Sequence, residues 1–149
     1  MLYLGADHAG FKLKEQIKKY LLAQKVKFID LGNLKLDKND DYPEISFKVG
    51  NAVSENKNSA GILICGTGFG VCIAANKVKG VRAVTVRNVA EAKSARLHND
   101  ANIICFSGWD LKFPLAKRII KVWLNTKFLN AERRNRRLAQ LVKYELSKR

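Results

Sequence analysis

Apolar and polar positions change period repeatedly along the chain, and each change marks a boundary between elements. Residues 2–6 are a short apolar run that reads as a strand. Residues 10–23 then carry Leu13, Ile17, Tyr20 and Leu21 at helical spacing. Val26 to Leu31 alternates as a second strand and stops at Gly32. The polar, turn-rich segment 33–43 follows. Pro43 suits the first turn of a helix, because proline lacks the N–H that a helix start leaves unpaired; that helix carries Ile45, Val49, Ala52 and Val53. The pattern continues with a strand at 60–65 and a helix over 69–78. A strand at 81–86 precedes a helix over 88–98, and a strand at 102–106 comes next. A helix follows with Ala116, Ile119, Ile120, Trp123 and Leu124 on one face. The last helix, 131–147, aligns Leu138, Leu141, Val142 and Glu145.

Five strands alternating with helices predict right-handed crossovers and a parallel sheet covered on both faces, in one domain over 1–149. No internal repeat or linker divides the chain. The last helix is basic on one side and leucine-lined on the other, fit to pack on its own domain or on a second subunit.

Composition removes several classes of function. No apolar run approaches the ~18 residues of a membrane span. The start, Met1-Leu2-Tyr3-Leu4-Gly5-Ala6-Asp7-His8, meets polar residues too early for a signal peptide, so a cytoplasmic protein is expected. Cys65, Cys72 and Cys105 form no C-x-x-C pair, and only two histidines are present. Neither a disulfide scaffold nor a cysteine–histidine metal site is expected. The net charge of +15 reads as a solvated surface, with Lys12, Lys14, Lys18 and Lys19 on exposed helix positions, or as a surface for anionic partners.

The stretch with most chemistry is Cys65-Gly66-Thr67-Gly68-Phe69-Gly70, between the third strand and its helix. Such a loop presents backbone N–H groups to an anion, and a thiol stands at its lip. It fits neither the dinucleotide fingerprint, since Val71 stands where a third glycine is needed, nor a P-loop. Ligands of parallel sheets bind beyond the carboxyl ends of the strands. Asp7-His8-Ala9-Gly10 follows the first strand, so Asp7, His8 and Cys65 are expected around one crevice. Cys72 and Cys105 read as packing residues. His98-Asn99-Asp100 joins a helix to the fifth strand and therefore lies at the opposite, amino edge; if His98 serves the Cys65 crevice, it must come from another subunit. Arg133 and Arg137 share a helix face and suit a phosphate, with Arg134 and Arg136 off to the sides.

These residues resemble the type B ribose-5-phosphate isomerase family, which includes galactose-6-phosphate isomerase subunits. The resemblance rests on Gly5-Ala6-Asp7-His8-Ala9-Gly10-Phe11, Asp41-Tyr42-Pro43, Ile64-Cys65-Gly66-Thr67-Gly68 through Ala74-Ala75-Asn76-Lys77, and Arg96 to Asn99-Asp100-Ala101-Asn102, in order over most of the chain. It implies a Rossmann-like three-layer sandwich with a five-stranded parallel sheet and an extra C-terminal helix, forming a single isomerase domain. It implies a homodimer with shared active sites, able to pair into a tetramer. The implied activity is interconversion of ribose 5-phosphate and ribulose 5-phosphate in pentose phosphate metabolism, through a cis-enediolate and without metal or cofactor. By that resemblance Cys65 is the base, Thr67 and the N–H groups of Gly66, Gly68, Phe69 and Gly70 hold the oxyanion, and His98 assists ring opening. Asp7, Tyr42 and Asn99 hold sugar hydroxyls, and His8, Arg133 and Arg137 hold the phosphate.

Three features depart from the family pattern. Trp109 stands where a phosphate-contacting arginine is usual, and Arg134 replaces a histidine within the C-terminal motif, which one extra residue precedes. The positive charge also exceeds what such an enzyme needs. A six-carbon substrate such as allose or galactose 6-phosphate is the nearest alternative; Cys65 together with His98 favours the ribose type. An RNA-binding role is weaker, because no aromatic-interleaved basic motif is present.

Overall fold

The computed structural model describes residues 1–147. The strands are β1 (Leu2–Ala6), β2 (Phe28–Asp30), β3 (Ala60–Cys65), β4 (Ala83–Thr85) and β5 (Ile103–Ser107). The helices are α1 (Phe11–Ala23), α2 (Tyr42–Glu55), α3 (Phe69–Ala75), α4 (Val89–Asn99), α5 (Phe113–Asn125) and α6 (Glu132–Ser147). All strand pairs are parallel, in the order β2-β1-β3-β5-β4. The expected α/β sandwich is therefore present, with β1 beside β3.

Alternation along the strands sorts the core into two layers. Leu4, Ile62, Ile64, Ile104 and Phe106 meet Ile17, Leu21, Ile119 and Trp123 of α1 and α5 on one face. Leu63, Cys65, Ile103 and Cys105 meet Val49 and Val71 of α2 and α3 on the other. The chain moves one way across the sheet with α1 and α4, and the other way with α2 and α3 on the opposite face. One crossover hand serves all four connections. At β3 the following helix lies on one face, while the helices after its neighbours β1 and β5 lie on the other. The chain thus parts around the end of β3, and this opening is where parallel sheets accept ligands.

Three elements are shorter than the hydrophobic pattern predicts. Val26 closes α1 instead of starting β2: its N–H donates to Leu21 O at 2.9 Å, after Lys25 turns left-handed at φ 55°. Val81 likewise belongs to the turn that precedes β4, with its N–H on Val78 O at 3.1 Å. Helix α3 ends at Ala75, and the side-chain amide of Asn76 that follows donates to Cys72 O at 3.0 Å and to Ala83 O at 2.9 Å and accepts from Ala83 N–H at 2.8 Å. The pair of bonds to Ala83 ties the end of α3 to the start of β4.

The expected exposure of Lys14 is corrected. Its side chain is fully buried, with Nζ 2.7 Å from Asp30 Oδ2 and 2.6 Å from Asn33 O. Helical periodicity cannot separate such a lysine from a solvated one, since its counter-charge lies on another element. Helix α6 contributes no buried residue, leaving Leu141, Val142, Tyr144 and Leu146 exposed.

Candidate active site

Two sets of site residues lie at opposite edges of the sheet. The first forms at the carboxyl ends of β1, β3 and β5. After β1, Asp7 Oδ1 accepts the N–H groups of Ala9 at 3.0 Å and Gly10 at 3.1 Å, folding the loop into a tight turn. The Asp7 N–H donates to Ile64 O at 3.2 Å. Gly10 packs so closely on β3 that an added Cβ would lie 2.6 Å from Ile64 O. Burial pushes the Asp7 carboxyl above its ordinary range, opposed by those backbone donors. His8 gives its backbone N–H to Asp40 Oδ1 at 2.8 Å, and its Nδ1 lies 2.9 Å from the same oxygen. The hydrogen bond to Asp40 raises the imidazole pKa and favours the cation.

Behind this pair runs a chain of contacts. Asn33 Nδ2 donates to Asp40 Oδ2 at 2.9 Å, and Asn33 O accepts the buried Lys14. Asn33 and Asp40 fall in the polar, turn-rich stretch 33–43 and Lys14 among the helix lysines read as solvated, and no local pattern marks pairings that reach up to 32 positions along the chain.

Cys65 closes β3, is buried, and accepts the Gly68 N–H on Sγ at 3.2 Å. Gly68 makes the turn at φ 79°, a left-handed conformation that glycine adopts at no steric cost. Its carbonyl is held by Thr85 Oγ1 at 2.9 Å. Thr67 Oγ1 accepts from Phe69 N–H at 3.3 Å, and α3 begins at Phe69. The ring of Tyr42, at the start of α2, lies against Gly70, where an added Cβ would be 2.9 Å from Cζ. The structure therefore brings Asp7, His8, Tyr42, Cys65, Gly66, Thr67, Gly68, Phe69 and Gly70 together.

On the same inner face, Cys105 hydrogen-bonds to Cys72 and lowers its pKa to about 6, while burial pushes Cys105 well above the usual thiol range. These two are packing residues as expected, although Cys72 is only half-buried.

His98, Asn99, Arg133 and Arg137 form the second set, lining a cavity of about 1030 Å³ between the end of α4, the turn before β4, and α6. Helix α4 stops because Asp100 adopts a left-handed conformation at φ 46°. Its carboxylate is gripped by Arg82 and by Arg96, each at 2.9 Å. Arg134, expected off to the side, lines this cavity too and donates to Leu97 O at 3.4 Å, because α6 lies alongside the end of α4. The five residues of β5 separate the two edges by roughly 13 Å at about 3.3 Å per residue. No histidine side chain spans that distance, so His98 does not meet Cys65 of its own chain.

A buried cysteine thus heads a glycine-rich loop at the carboxyl edge of a parallel sheet, and the loop carries no nucleotide fingerprint. The ribose/galactose isomerase family profile matches residues 2–141. The chain belongs to that family, and with it to the aldose–ketose isomerases. It is 42% identical to the probable ribose-5-phosphate isomerase B of Mycoplasma pneumoniae, over 99% of this chain and 96% of that one. It superposes with a TM-score of 0.93 on the ribose-5-phosphate isomerase B of Mycoplasma genitalium with bound ribulose 5-phosphate, at 39% identity over 97% and 95% of the two chains. It is also 37% identical to a D-erythrulose-4-phosphate isomerase of Pectobacterium atrosepticum, covering 84% and 82% of the two. Among the described residues no helix is long and apolar enough to cross a membrane.

Proposed function

We propose that the protein interconverts ribose 5-phosphate and ribulose 5-phosphate through a cis-enediolate, as a cytoplasmic homodimer whose two active sites each draw residues from both subunits. The observation that carries this reading is the Cys65 sulfur, hydrogen-bonded to the Gly68 N–H at the mouth of the glycine loop and flanked by Asp7 and His8. The family relationship and the ribulose 5-phosphate bound by the Mycoplasma genitalium relative support the substrate.

A proton beside a carbonyl is weakly acidic, so its removal needs a base and a stabiliser of the resulting charge at once. Cys65 as thiolate takes the proton from C2 of the open-chain aldose. Electrons move into the carbonyl, giving an enediolate whose oxygen is held by Thr67 and the N–H groups of Gly66, Gly68, Phe69 and Gly70. The Cys65 thiol returns the proton at C1 while a hydroxyl proton passes between O2 and O1, and the ketose results. Asp7, Tyr42 and the partner's Asn99 hold hydroxyls. The partner's His98 shuttles the proton that opens the furanose ring. His8 with the partner's Arg133 and Arg137 binds the phosphate, whose binding energy orients carbons that it does not touch.

Cys65→Ala tests the base. Turnover of ribose 5-phosphate falls by roughly 10²–10⁴-fold while the far-ultraviolet spectrum stays that of the wild type. Wild-type rates in that variant would remove Cys65 from the mechanism.

A further inference from the structure

Trp109 has no part in the chemistry just described, and its setting is unusual for so large an apolar residue. It lies on the turn after β5 with 67% of its surface exposed, whereas the other tryptophan, Trp123, is buried in the core. Burial therefore does not hold the indole in position; the backbone beneath it does. The Trp109 N–H donates to Gly66 O at 3.2 Å, and the Gly108 N–H donates to Cys65 O at 2.8 Å. Ser107 Oγ donates to Gly66 O at 2.7 Å and is itself bonded to Asp110. Gly108 also packs on the turn after β1, where an added Cβ would come within 2.4 Å of Ala9 O. The β5 turn thus bridges the β1 and β3 loops, and the tryptophan it carries is fixed relative to Cys65.

The ring itself rests on the catalytic loop. A methyl group on Gly66 would lie 2.6, 2.7 and 2.8 Å from Cζ2, Cε2 and Cη2 of the indole. Tyr42 meets Gly70 of the same loop in the same manner. Two partly exposed aromatic rings therefore bracket the loop that begins at Cys65, one at each end. Asp7, His8 and Thr67 of this edge are polar and suit hydroxyls or phosphate, while the exposed ring of Phe69 is engaged by Arg87. A sugar phosphate also has a C–H surface, which polar groups cannot cover, and exposed indole faces are suited to such surfaces.

We infer that Trp109 contacts the substrate, its indole packing on the C–H surface of the carbon chain beside Cys65 and thereby selecting which chain lengths the site accepts. The inference rests on the proposed isomerase reading. A contact made equally in the ground state and the transition state acts on KM rather than kcat. Discrimination by one carbon in an apolar pocket amounts to roughly ten- to two-hundredfold.

The test uses the full-length protein and its Trp109→Ala and Trp109→Phe variants, with ribose 5-phosphate and allose 6-phosphate. Trp109→Ala raises KM for ribose 5-phosphate roughly tenfold with kcat little changed, and lowers the preference for ribose over allose 6-phosphate by about tenfold. Trp109→Phe recovers most of both. Ribose 5-phosphate shifts the tryptophan fluorescence of the wild type, and the shift disappears in Trp109→Phe, where only the buried Trp123 emits. An unchanged KM and preference in Trp109→Ala overturns the inference. So does a Phe variant no better than Ala, or a fluorescence change that follows protein dilution instead of substrate, which makes the indole a subunit contact. If the wild type turns over neither sugar, the proposed function fails instead, and the fluorescence response to ribose 5-phosphate still decides the Trp109 contact.

Discussion

His8 shows how a residue two positions beyond a strand acquires a charge suited to phosphate. Its cationic form is favoured because Asp40 accepts from both its backbone and its ring. A raised pKa means that the proposed attraction of His8 for the substrate phosphate would be complete below the ordinary histidine value of about 6.5 and lost as pH rises through the folded-state value. The same sign applies to the stability that this pair contributes. Asp40→Asn keeps an acceptor oxygen and removes the charge. In that variant the alkaline rise in KM for ribose 5-phosphate begins at a lower pH than in the wild type, with kcat unaffected. KM–pH profiles and a proton-resonance titration of His8 check this. Identical profiles would detach Asp40 from phosphate binding. Further back, Lys14→Ala leaves Asp30 buried with only Lys18, at 2.8 Å, to neutralise it. Removing one partner of a buried pair costs about 3–5 kcal/mol, and the surviving lysine keeps this case near 3 kcal/mol. Urea denaturation measures that loss. Asp7, His8 and Cys65 were legible in the sequence because each stands where a strand pattern ends. Lys14, Asn33 and Asp40 were not, because their roles depend on pairings between segments up to 32 positions apart, which no local period encodes.

Elements hold the second set of residues as firmly as loops hold the first. Asn88 opens α4 by accepting the Glu91 N–H at 2.8 Å, while Glu91 returns a carboxylate oxygen to the Arg87 N–H at 2.6 Å. Asn88 thereby satisfies one of the N–H groups that the first turn leaves unpaired. The far end of α4 is set by Asp100, and its two arginines come from α4 itself and from the turn before β4. Asp100→Ala removes both ion pairs and puts alanine in a left-handed conformation, which costs about 1–2 kcal/mol. Thermal melting reports that cost. Because His98 and Asn99 are the last two residues of the helix, kcat falls further than stability alone explains; Asp100→Asn, which tolerates the left-handed turn, recovers part of it. Equal kcat in Asp100→Ala and wild type would show that the helix end plays no part in positioning His98. The short lengths of β2 and β4 escaped the sequence for a related reason. Val26 and Val81 are strand-forming residues consumed by the turns before their strands, so hydrophobic pattern alone overestimates both.

At the scale of the whole molecule, one chain holds two sets of candidate site residues separated by the length of its strands. Cys65, the glycine loop proposed to hold the oxyanion, and His8 occupy the carboxyl edge, while His98, Asn99, Arg133 and Arg137 line the cavity at the amino edge. Neither set is sufficient for the proposed chemistry, and the roughly 13 Å between edges does not close within a subunit. In the proposed homodimer a second copy resolves this: a twofold pairing that set the carboxyl edge of one chain against the amino edge of the other would complete two sites at once. Helix α6 suits such a contact: it carries the arginines, buries none of its residues in its own subunit, and exposes Leu141, Val142, Tyr144 and Leu146. Subunit mixing measures the consequence directly. Cys65→Ala and His98→Ala homodimers each lack one component at both sites, and each is nearly inactive. In a mixed dimer one site carries both lesions and the other carries neither. Random exchange between equal amounts makes half the dimers mixed, so activity returns to about one quarter of the wild-type value. Exchange confirmed by mass spectrometry with no recovery would show that each site is built within one chain. In that case His98 and the C-terminal arginines would have no role at Cys65, and the cavity beneath α6 would need another occupant.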